Sequence, residues 1–273
     1  MSDAAITARF ASHRFLLCLG LLGEVMAGLK PVGVDYMDSQ RAWLTGLGLD
    51  AQVVSLPTAA PVAANARRVA EAVRAAPGRV ILIAHSKGGL EALAALLRDD
   101  VAARCDGFIA LQCPFQGSPV ADALLGRQQL RLALDQVARL TGLGNGRGLM
   151  DLTTATRHDW MMRHRAEVEA LIAQVPVTTL ATQLDNPADW RDGFYAALSR
   201  WMVEAGEGPN DGLVPVASAL LPGARHVVLA GGHRALVTAA PGRDPIGVLR
   251  DQLLLLPIPS PLPPAPILRL PSP

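Results

Sequence analysis

One serine of the chain stands where an apolar strand turns into a helix. The segment Arg79–Leu90 reads RVILIAHSKGGL, so Ser86 follows an apolar run and precedes an amphipathic helical pattern. The pattern small-x-Ser-x-Gly is typical of a nucleophile elbow, with Ala84 and Gly88 in the two small positions. Small residues are needed there because the strand must turn sharply without side-chain collision. The alternative interpretation is a serine that only caps the helix.

A serine hydroxyl is activated at neutral pH when a neutral imidazole accepts its proton and a carboxylate orients that imidazole. Four of the six histidines follow Ser86. His158 and His164 are six residues apart, which is the wrong spacing for one helical face, and His226 falls inside a predicted strand. His233 follows the last predicted strand, at the carboxyl edge of the sheet where the elbow opens. We therefore predict His233 as the base, with a structural loop histidine as the alternative.

Two aspartates compete for the role of the acid. Asp185 follows the predicted strand Val177–Thr182 after two residues. Asp211 lies in the segment Asn210–Pro215, NDGLVP, which is also an ordinary turn signal. The residues alone leave both aspartates open.

Short apolar runs bounded by turn residues predict the strands that position these side chains. The predicted strands are Phe15–Leu19, Gln52–Leu56, Val80–Ala84, Phe108–Gln112, Val177–Thr182 and His226–Ala230. The predicted helices between and after them are Ala63–Ala76, Lys87–Arg98 and Pro245–Leu256. Most of these runs are apolar on both faces, as in strands covered by helices on both sides. The alternation predicts an α/β fold with a mainly parallel sheet.

The alternation is interrupted between about Leu124 and Val175, where only helix-like segments occur. A second interval, Leu184–Pro209, is similar, and the two intervals together hold three of the four tryptophans. An aromatic-rich insertion over a parallel sheet predicts a lid and an apolar pocket, with ordinary covering helices as the alternative. The candidate pocket residues are Leu149, Leu152, Trp160 and Met161.

Residues 1–256 are expected to form one domain, with the lid as an insertion at about residues 124–175. Residues 257–273 include eight prolines and predict an extended, exposed tail. A short apolar run, Phe15–Leu22, follows Arg9 and Arg14 but lacks a downstream cleavage pattern. We therefore expect a cytoplasmic protein, with secretion as the alternative.

The composition excludes several classes of protein. Half of the 273 residues are hydrophobic and 18% are charged, which suits a large buried core. With 25 basic and 24 acidic residues, the chain has no electrostatic footprint for nucleic acid. A membrane-spanning helix needs about 18 or more consecutive apolar residues, and no stretch of the sequence is that long. Cys18, Cys105 and Cys113 form no C-x-x-C pair, which argues against a disulfide framework or zinc site and for buried free thiols.

Four patches of the sequence resemble the bacterial triacylglycerol lipases and related esterases of the α/β-hydrolase fold. They are the opening Leu19–Gly23 (LGLLG), the elbow around Ser86, Gln112–Asp122 (QCPFQGSPVAD) and Asn210–Val214 (NDGLV). In that family a segment similar to the last patch bears the catalytic aspartate, and the catalytic histidine follows it. His233 lies 22 residues after Asp211.

The resemblance implies Ser86 as nucleophile, His233 as base and Asp211 as acid. It also implies that the backbone N–H groups of Leu21 and Lys87 form an oxyanion hole. The expected activity is hydrolysis of small-molecule or lipid carboxylic esters through an acyl-enzyme, with short to medium acyl chains preferred and no cofactor.

Two departures from the family pattern stand out. The family usually has His-Gly at the opening, where this chain has Leu19-Gly20. Secreted members often hold calcium through an aspartate just after the catalytic histidine, where this chain has Arg234 and Ala235, so we predict no metal site. The same catalytic residues would also serve an acyltransferase, thioesterase or amidase, and the fold could serve as a non-catalytic binding protein.

Overall fold

The computed structural model describes residues 3–20, 36–57, 60–126, 147–184 and 192–258. These residues contain a six-stranded sheet in which every neighbouring pair of strands is parallel. The strands are β1 (His13–Cys18), β2 (Asp50–Val53), β3 (Arg79–His85), β4 (Cys105–Leu111), β5 (Val177–Gln183) and β6 (Arg225–Ala230). Their order across the sheet is β2-β1-β3-β4-β5-β6. All six predicted strands are present, and the α/β class is confirmed.

Helices connect these strands and cover both faces of the sheet. In the described residues they are α1 (Asp3–Phe10), α2 (Asp38–Gly46), α3 (Val62–Ala75), α4 (Lys87–Leu96), α5 (Asp99–Ala102), α6 (Pro119–Gly126), α7 (Arg147–Met150), α8 (Thr154–Arg163), α9 (Arg165–Gln174), α10 (Gly193–Glu204), α11 (Val216–Ala219) and α12 (Pro245–Leu255). None of these described helices is both long enough and apolar enough to cross a bilayer. The three helices predicted from the sequence correspond to α3, α4 and α12, each ending within two residues of its predicted bounds.

Strand β3 shows why the sheet is covered on both faces. Val80, Leu82 and Ala84 belong to a core cluster that includes residues of α3 and α4. Ile81 and Ile83 belong to a second cluster that includes residues of α1, α2 and α12. All five side chains are fully buried. Apolar residues on both faces of a strand are expected where helices lie on both sides of a parallel sheet.

The two edge strands differ from the prediction that the strands are covered on both faces. The residues of β6 alternate between exposed and partly buried, and Val228 is 44% exposed. Strand β2 begins two residues earlier than predicted and ends at Val53, which is 41% exposed. Among the described residues, each edge strand pairs with one neighbour only, and part of it is in contact with water.

The predicted lid interval, residues 124–175, is helical in its described part. Helices α8 and α9 pack on the core cluster of α3 and α4 through Met161, Val168 and Leu171, as covering helices do. The described residues of this interval form no strand, as predicted. Residues 127–146 of the interval and 259–273 of the proline-rich segment lie outside the described residues. The lid, the tail and the boundary between them and the domain therefore stay predictions.

Candidate active site

Ser86 lies at the sharp turn between β3 and α4, as the elbow pattern predicted. Its backbone has φ 54° and ψ −129°. A positive φ of this kind costs a non-glycine residue on the order of 1–3 kcal/mol, and such strain is concentrated at functional sites. Ser86 stands at the N-cap position of α4, yet within the described residues its side chain makes no capping hydrogen bond. The helix-cap alternative therefore does not account for this serine.

Small residues surround the turn because backbones approach each other closely there. A Cβ atom on Gly88 would lie 2.4 Å from the backbone oxygen of Cys18, at the end of β1. A Cβ atom on Gly20 would lie 2.7 Å from Cβ of Ser86. Any side chain at these positions would push apart α4, β1 and the segment that follows β1. The glycines thus allow the elbow to sit directly against the end of β1.

His233 connects Ser86 with Asp211. Its Nε2 atom lies 3.0 Å from Oγ of Ser86, and its Nδ1 atom lies 2.8 Å from Oδ2 of Asp211. All three residues are buried. A carboxylate accepts hydrogen bonds, so Nδ1 carries the ring proton and the lone pair of Nε2 faces the serine hydroxyl. The arrangement is suited to accept a proton from Ser86.

The NDGLV segment holds the carboxylate of Asp211 in place. Its Oδ1 atom accepts hydrogen bonds from the backbone N–H groups of Leu213 at 2.9 Å and Val214 at 2.8 Å. Oδ1 of Asn210 accepts from the N–H of Gly212 at 3.0 Å and closes the same turn. One oxygen of the aspartate is thus bound by backbone, and the other faces the imidazole. The NDGLV segment therefore forms a turn and also holds the candidate acid, so the two interpretations of this segment agree.

Lys87, a predicted oxyanion donor, is the first residue of α4, so its backbone N–H has no acceptor within the helix. Its side chain is buried and forms an ion pair with Glu91, and Nζ also donates to the backbone oxygen of Ala60 at 2.8 Å. The other predicted donor, Leu21, and the competing acid, Asp185, lie outside the described residues.

Gln112 is a member of the site that the sequence analysis did not single out. It follows β4 with a positive φ of 53° and is fully buried. Its Nε2 atom lies 2.9 Å from the backbone oxygen of Gly232 and 3.3 Å from Oδ2 of Asp211. Its amide thus links the carboxylate to the loop that carries His233. The sequence signal that could have indicated Gln112 is its position at the start of the lipase-like patch Gln112–Asp122, at the end of a predicted strand.

His85 and Tyr36 are two further residues that the sequence analysis missed. His85 is the last residue of β3 and directly precedes Ser86. The Oη atom of Tyr36 lies 2.6 Å from Nδ1 of His85. The pKa of His85 is held well below its usual range, mainly by burial and secondly by the neighbouring His233. His85 is therefore a neutral ring beside the candidate base.

The four predicted pocket residues lie around the first core cluster. Leu152 and Met161 are buried in it, and Leu149 and Trp160 are partly buried against it. Met161 also lines a cavity of about 340 Å³ between α8, α9 and Pro222. The role of these residues in binding an acyl chain stays a prediction.

The other histidines considered as bases have different surroundings. His226 Nε2 lies 2.6 Å from the backbone oxygen of Leu221. The ring of His164 lies against that of Trp160, tilted by 52°, with centroids 4.5 Å apart, and His158 lines the cavity beside α8. Only His233, of the histidines in the described residues, approaches Ser86 Oγ within hydrogen-bond distance.

The cysteines are all buried free thiols, as predicted. Burial raises the pKa of the Cys105 thiol to about 12, so it is not a thiolate at neutral pH. In the described residues, no three His, Cys, Asp or Glu side chains are grouped so as to hold a metal ion. Asp185 and Asp189, two carboxylates that could act as metal ligands, lie outside this part, so the absence of a metal site stays a prediction.

Comparison with solved structures shows that the molecule has the α/β-hydrolase fold. The mature form of Bacillus licheniformis lipase BlEst2 shares 22% sequence identity over 81% of this chain and 84% of that chain, with a TM-score of 0.63. The metagenomic carboxyl esterase MGS0156 shares 24% identity over 84% of this chain and 67% of that chain, with a TM-score of 0.64. Staphylococcus hyicus lipase shares 12% identity over 82% and 88% of the two chains, with a TM-score of 0.59.

No protein-family model and no curated protein sequence matches the chain. At identities this low, structural similarity establishes the fold. The chain has the α/β-hydrolase fold and resembles bacterial lipases and esterases in structure, as the sequence predicted.

Proposed function

We propose that the chain is a serine hydrolase that cleaves carboxylic esters through an acyl-enzyme. The observation that carries this proposal is the hydrogen-bonded line from Ser86 through His233 to Asp211, with distances of 3.0 and 2.8 Å. The ester bond as target is supported by the structural neighbours, which are named as lipases and as a carboxyl esterase. Fold and side-chain arrangement together favour this reaction class.

In the first half of the reaction, Oγ of Ser86 forms a bond to the ester carbonyl carbon, and its proton passes to Nε2 of His233. The carbonyl oxygen becomes an oxyanion, which the N–H groups of Lys87 and Leu21 would bind. The carbon–oxygen bond to the alcohol then breaks. His233 returns the proton to the leaving alcohol, and the acyl group remains on Ser86.

In the second half, water attacks the acyl carbon while His233 accepts a proton from it. A second oxyanion forms and collapses, the bond to Ser86 breaks, and His233 returns the proton to Oγ. Asp211 remains a carboxylate throughout and stabilises the imidazolium that forms in both halves. These steps release one alcohol and one carboxylic acid and need no cofactor.

The substrates that we propose are small-molecule or lipid esters with short to medium, uncharged acyl chains. The apolar side chains that the sequence analysis assigned to the acyl site carry no charge that would pair with a charged acyl group. Burial of an acyl chain against such residues is favoured by its apolar area.

Hydrolysis of p-nitrophenyl butyrate tests the proposal. The wild-type chain should release p-nitrophenol, and Ser86→Ala should reduce the rate to near the uncatalysed level. Ser55→Ala, at an exposed position beyond β2, is the matched control and should retain full activity. Equal activity in wild type and Ser86→Ala would refute the assignment of the nucleophile.

A partition experiment separates hydrolysis from acyl transfer. The same ester is supplied with increasing amounts of a small alcohol, and butyric acid and the new butyrate ester are both quantified. Acid as the main product supports a hydrolase. Transfer that exceeds hydrolysis at low alcohol concentration would show that the acceptor site is built for an alcohol and not for water.

A further inference from the structure

A chain of hydrogen bonds runs behind the candidate site from the backbone of Gly20 to the backbone of His233. The N–H of Gly20 lies 3.1 Å from Oη of Tyr36, and this oxygen lies 2.6 Å from Nδ1 of His85. Nε2 of His85 lies 2.9 Å from the backbone oxygen of His233. Through the side chains of Tyr36 and His85, these hydrogen bonds join the backbone at Gly20, two residues after β1, to the loop that carries the candidate base.

The protons in this chain have one consistent arrangement. A backbone carbonyl only accepts, so Nε2 of His85 carries the ring proton and donates it to His233. Nδ1 is then a lone pair and accepts from the hydroxyl of Tyr36. That hydroxyl oxygen in turn accepts from the N–H of Gly20. The low pKa of the buried His85 agrees with this neutral ring.

The position of the chain explains what it would control. His85 directly precedes Ser86, and its ring lies 4.9 Å from that of His233, centroid to centroid. On the other side, a Cβ atom on Gly20 would lie 2.9 Å from Oη of Tyr36, so hydroxyl and backbone are in close contact. The backbone at Gly20, the end of β3 before Ser86 and the loop of His233 are distant in the sequence, and the same hydrogen bonds connect all three.

We propose that Tyr36 and His85 are positioning residues that hold the base His233 and the backbone at Gly20 in a fixed relation to Ser86. The inference rests on the function proposed above. The hydroxyl of Tyr36 binds the N–H of Gly20, which directly precedes the predicted oxyanion donor Leu21 in the sequence. Neither residue exchanges protons with substrate; each acts through the groups that do.

A second tie supports the same relation. The backbone N–H of Met37, next to Tyr36, donates to the backbone oxygen of Val237 at 2.8 Å. Val237 lies four residues after His233, in the same loop. Tyr36 is thus held against this loop by backbone as well as by its side chain, and its hydroxyl is kept within reach of His85.

Kinetics of single-atom and isosteric changes test the proposal. Tyr36→Phe removes one oxygen and keeps the ring, so kcat for p-nitrophenyl butyrate should fall by about 10- to 100-fold, as expected for small displacements of catalytic groups. KM should change by no more than about twofold, since no substrate contact is lost.

His85→Gln keeps an amide N–H that can reach the carbonyl of His233, whereas His85→Leu keeps no donor. The kcat of His85→Gln should therefore exceed that of His85→Leu.

The control for simple destabilisation is Trp43→Phe. Nε1 of Trp43 donates to Asp3 at 3.3 Å, and its ring packs on the same core cluster as Tyr36. This variant should lower the melting temperature by a similar amount and leave kcat unchanged. A kcat loss in Trp43→Phe equal to that in Tyr36→Phe would overturn the positioning role.

The outcomes separate this inference from the proposed function. If the wild-type chain hydrolyses the ester and Tyr36→Phe retains kcat within about twofold, the positioning role is wrong and the function stands. If the wild-type chain neither hydrolyses esters nor reacts at Ser86 with a fluorophosphonate, the proposed function itself has failed. If Tyr36→Phe does not fold, the two His85 variants decide, and equal kcat values for Gln and Leu overturn the proposal.

Discussion

His233 is attached to Asp211 twice, once by its ring and once by its backbone. Nδ1 lies 2.8 Å from Oδ2 of the aspartate, and the N–H of His233 donates to the backbone oxygen of Asp211 at 2.9 Å. The backbone bond does not depend on the carboxylate. A change at the side chain of Asp211 therefore tests its electrostatic role while the loop of His233 keeps its attachment.

Asp211→Asn should lose most of the activity. The amide oxygen of asparagine can still accept from Leu213 and Val214, but the amide nitrogen facing His233 favours the wrong ring tautomer. Loss of the acid in this way typically costs on the order of 10⁴ in kcat, with little change in fold. Steady-state kinetics on p-nitrophenyl butyrate measure the loss, and circular dichroism checks the fold.

Asp185→Asn is the matched control for this experiment, because Asp185 is the competing acid in the sequence. We expect it to retain nearly full kcat. A large loss in Asp185→Asn together with activity in Asp211→Asn would move the acid to the segment after β5.

Acid should destabilise the protein through His85. Burial, and then the neighbouring His233 and Arg234, lower the pKa of this ring in the folded state, while Tyr36 faces it as a neutral donor. In the unfolded chain the ring gains a proton near about pH 6.5. Below that pH the unfolded state binds more protons than the folded state does. The free energy of unfolding therefore falls as the pH is lowered, by up to about 1.4 kcal/mol per pH unit.

Urea unfolding of wild type and His85→Gln, between about pH 7 and pH 5, measures this effect. The free energy of unfolding of the wild type should fall more steeply with acid than that of the variant, because glutamine does not titrate. Parallel curves would show that His85 is not the group that takes up the proton.

Lys87→Met should destabilise the fold strongly. The side chains of Lys87 and Glu91 are 1% and 2% exposed, and Nδ2 of Asn65 also donates to Glu91 at 2.7 Å. Without the lysine, a buried carboxylate loses its counter-charge, which typically costs about 3–5 kcal/mol. Burial already raises the pKa of Glu91, so its charged form depends on these partners.

The free energy of unfolding in urea measures this cost, with Arg74→Met as the control. The ion pair of Arg74 with Asp100 is exposed on both sides, so its loss should have little effect, because water screens such pairs. Equal stabilities of the two variants would mean that the Lys87–Glu91 pair does not hold the elbow helix in place.

Acyl-chain preference should rise from acetyl to medium chains and then level off. Each buried methylene favours binding by up to about 0.8 kcal/mol, or roughly fourfold, until the pocket is filled. A series of p-nitrophenyl esters of increasing chain length measures kcat/KM. Trp160→Ala should flatten the rise if the interval around α8 contributes to the acyl site.

Trp201→Ala tests the other helical interval, since Trp201 lies on α10 and is 40% exposed. We expect this variant to retain the wild-type profile. A profile that flattens with Trp201→Ala and not with Trp160→Ala would transfer the acyl site to residues 184–209.

The strands and the meeting of Ser86 with His233 could be predicted because they depend on local signals. An apolar run followed by small residues marks both β3 and the turn at Ser86. His233 comes three residues after the end of β6, and the carboxyl ends of parallel strands share one edge of the sheet. The edge exposure of β6 could not be read from its apolar residues, because strand order depends on which strands pair.

Gln112, Tyr36 and His85 could not be predicted, because their roles depend on contacts between distant parts of the sequence. Tyr36 meets His85 across 49 positions, and Gln112 meets Gly232 across 120. Periodicity assigns such residues to a strand end or loop but gives no partner for a polar side chain. Only the packed sheet brings them behind the candidate base.

The most direct test of the account is covalent labelling of Ser86 by a fluorophosphonate. The folded wild-type chain should gain one adduct, which intact mass and peptide mapping place on Ser86, and heat-unfolded protein should gain none. Ser86→Ala should stay unlabelled under the same conditions. A folded wild-type chain that is not labelled, or a Ser86→Ala variant labelled at the wild-type rate, would contradict the claim that Ser86 is an activated nucleophile.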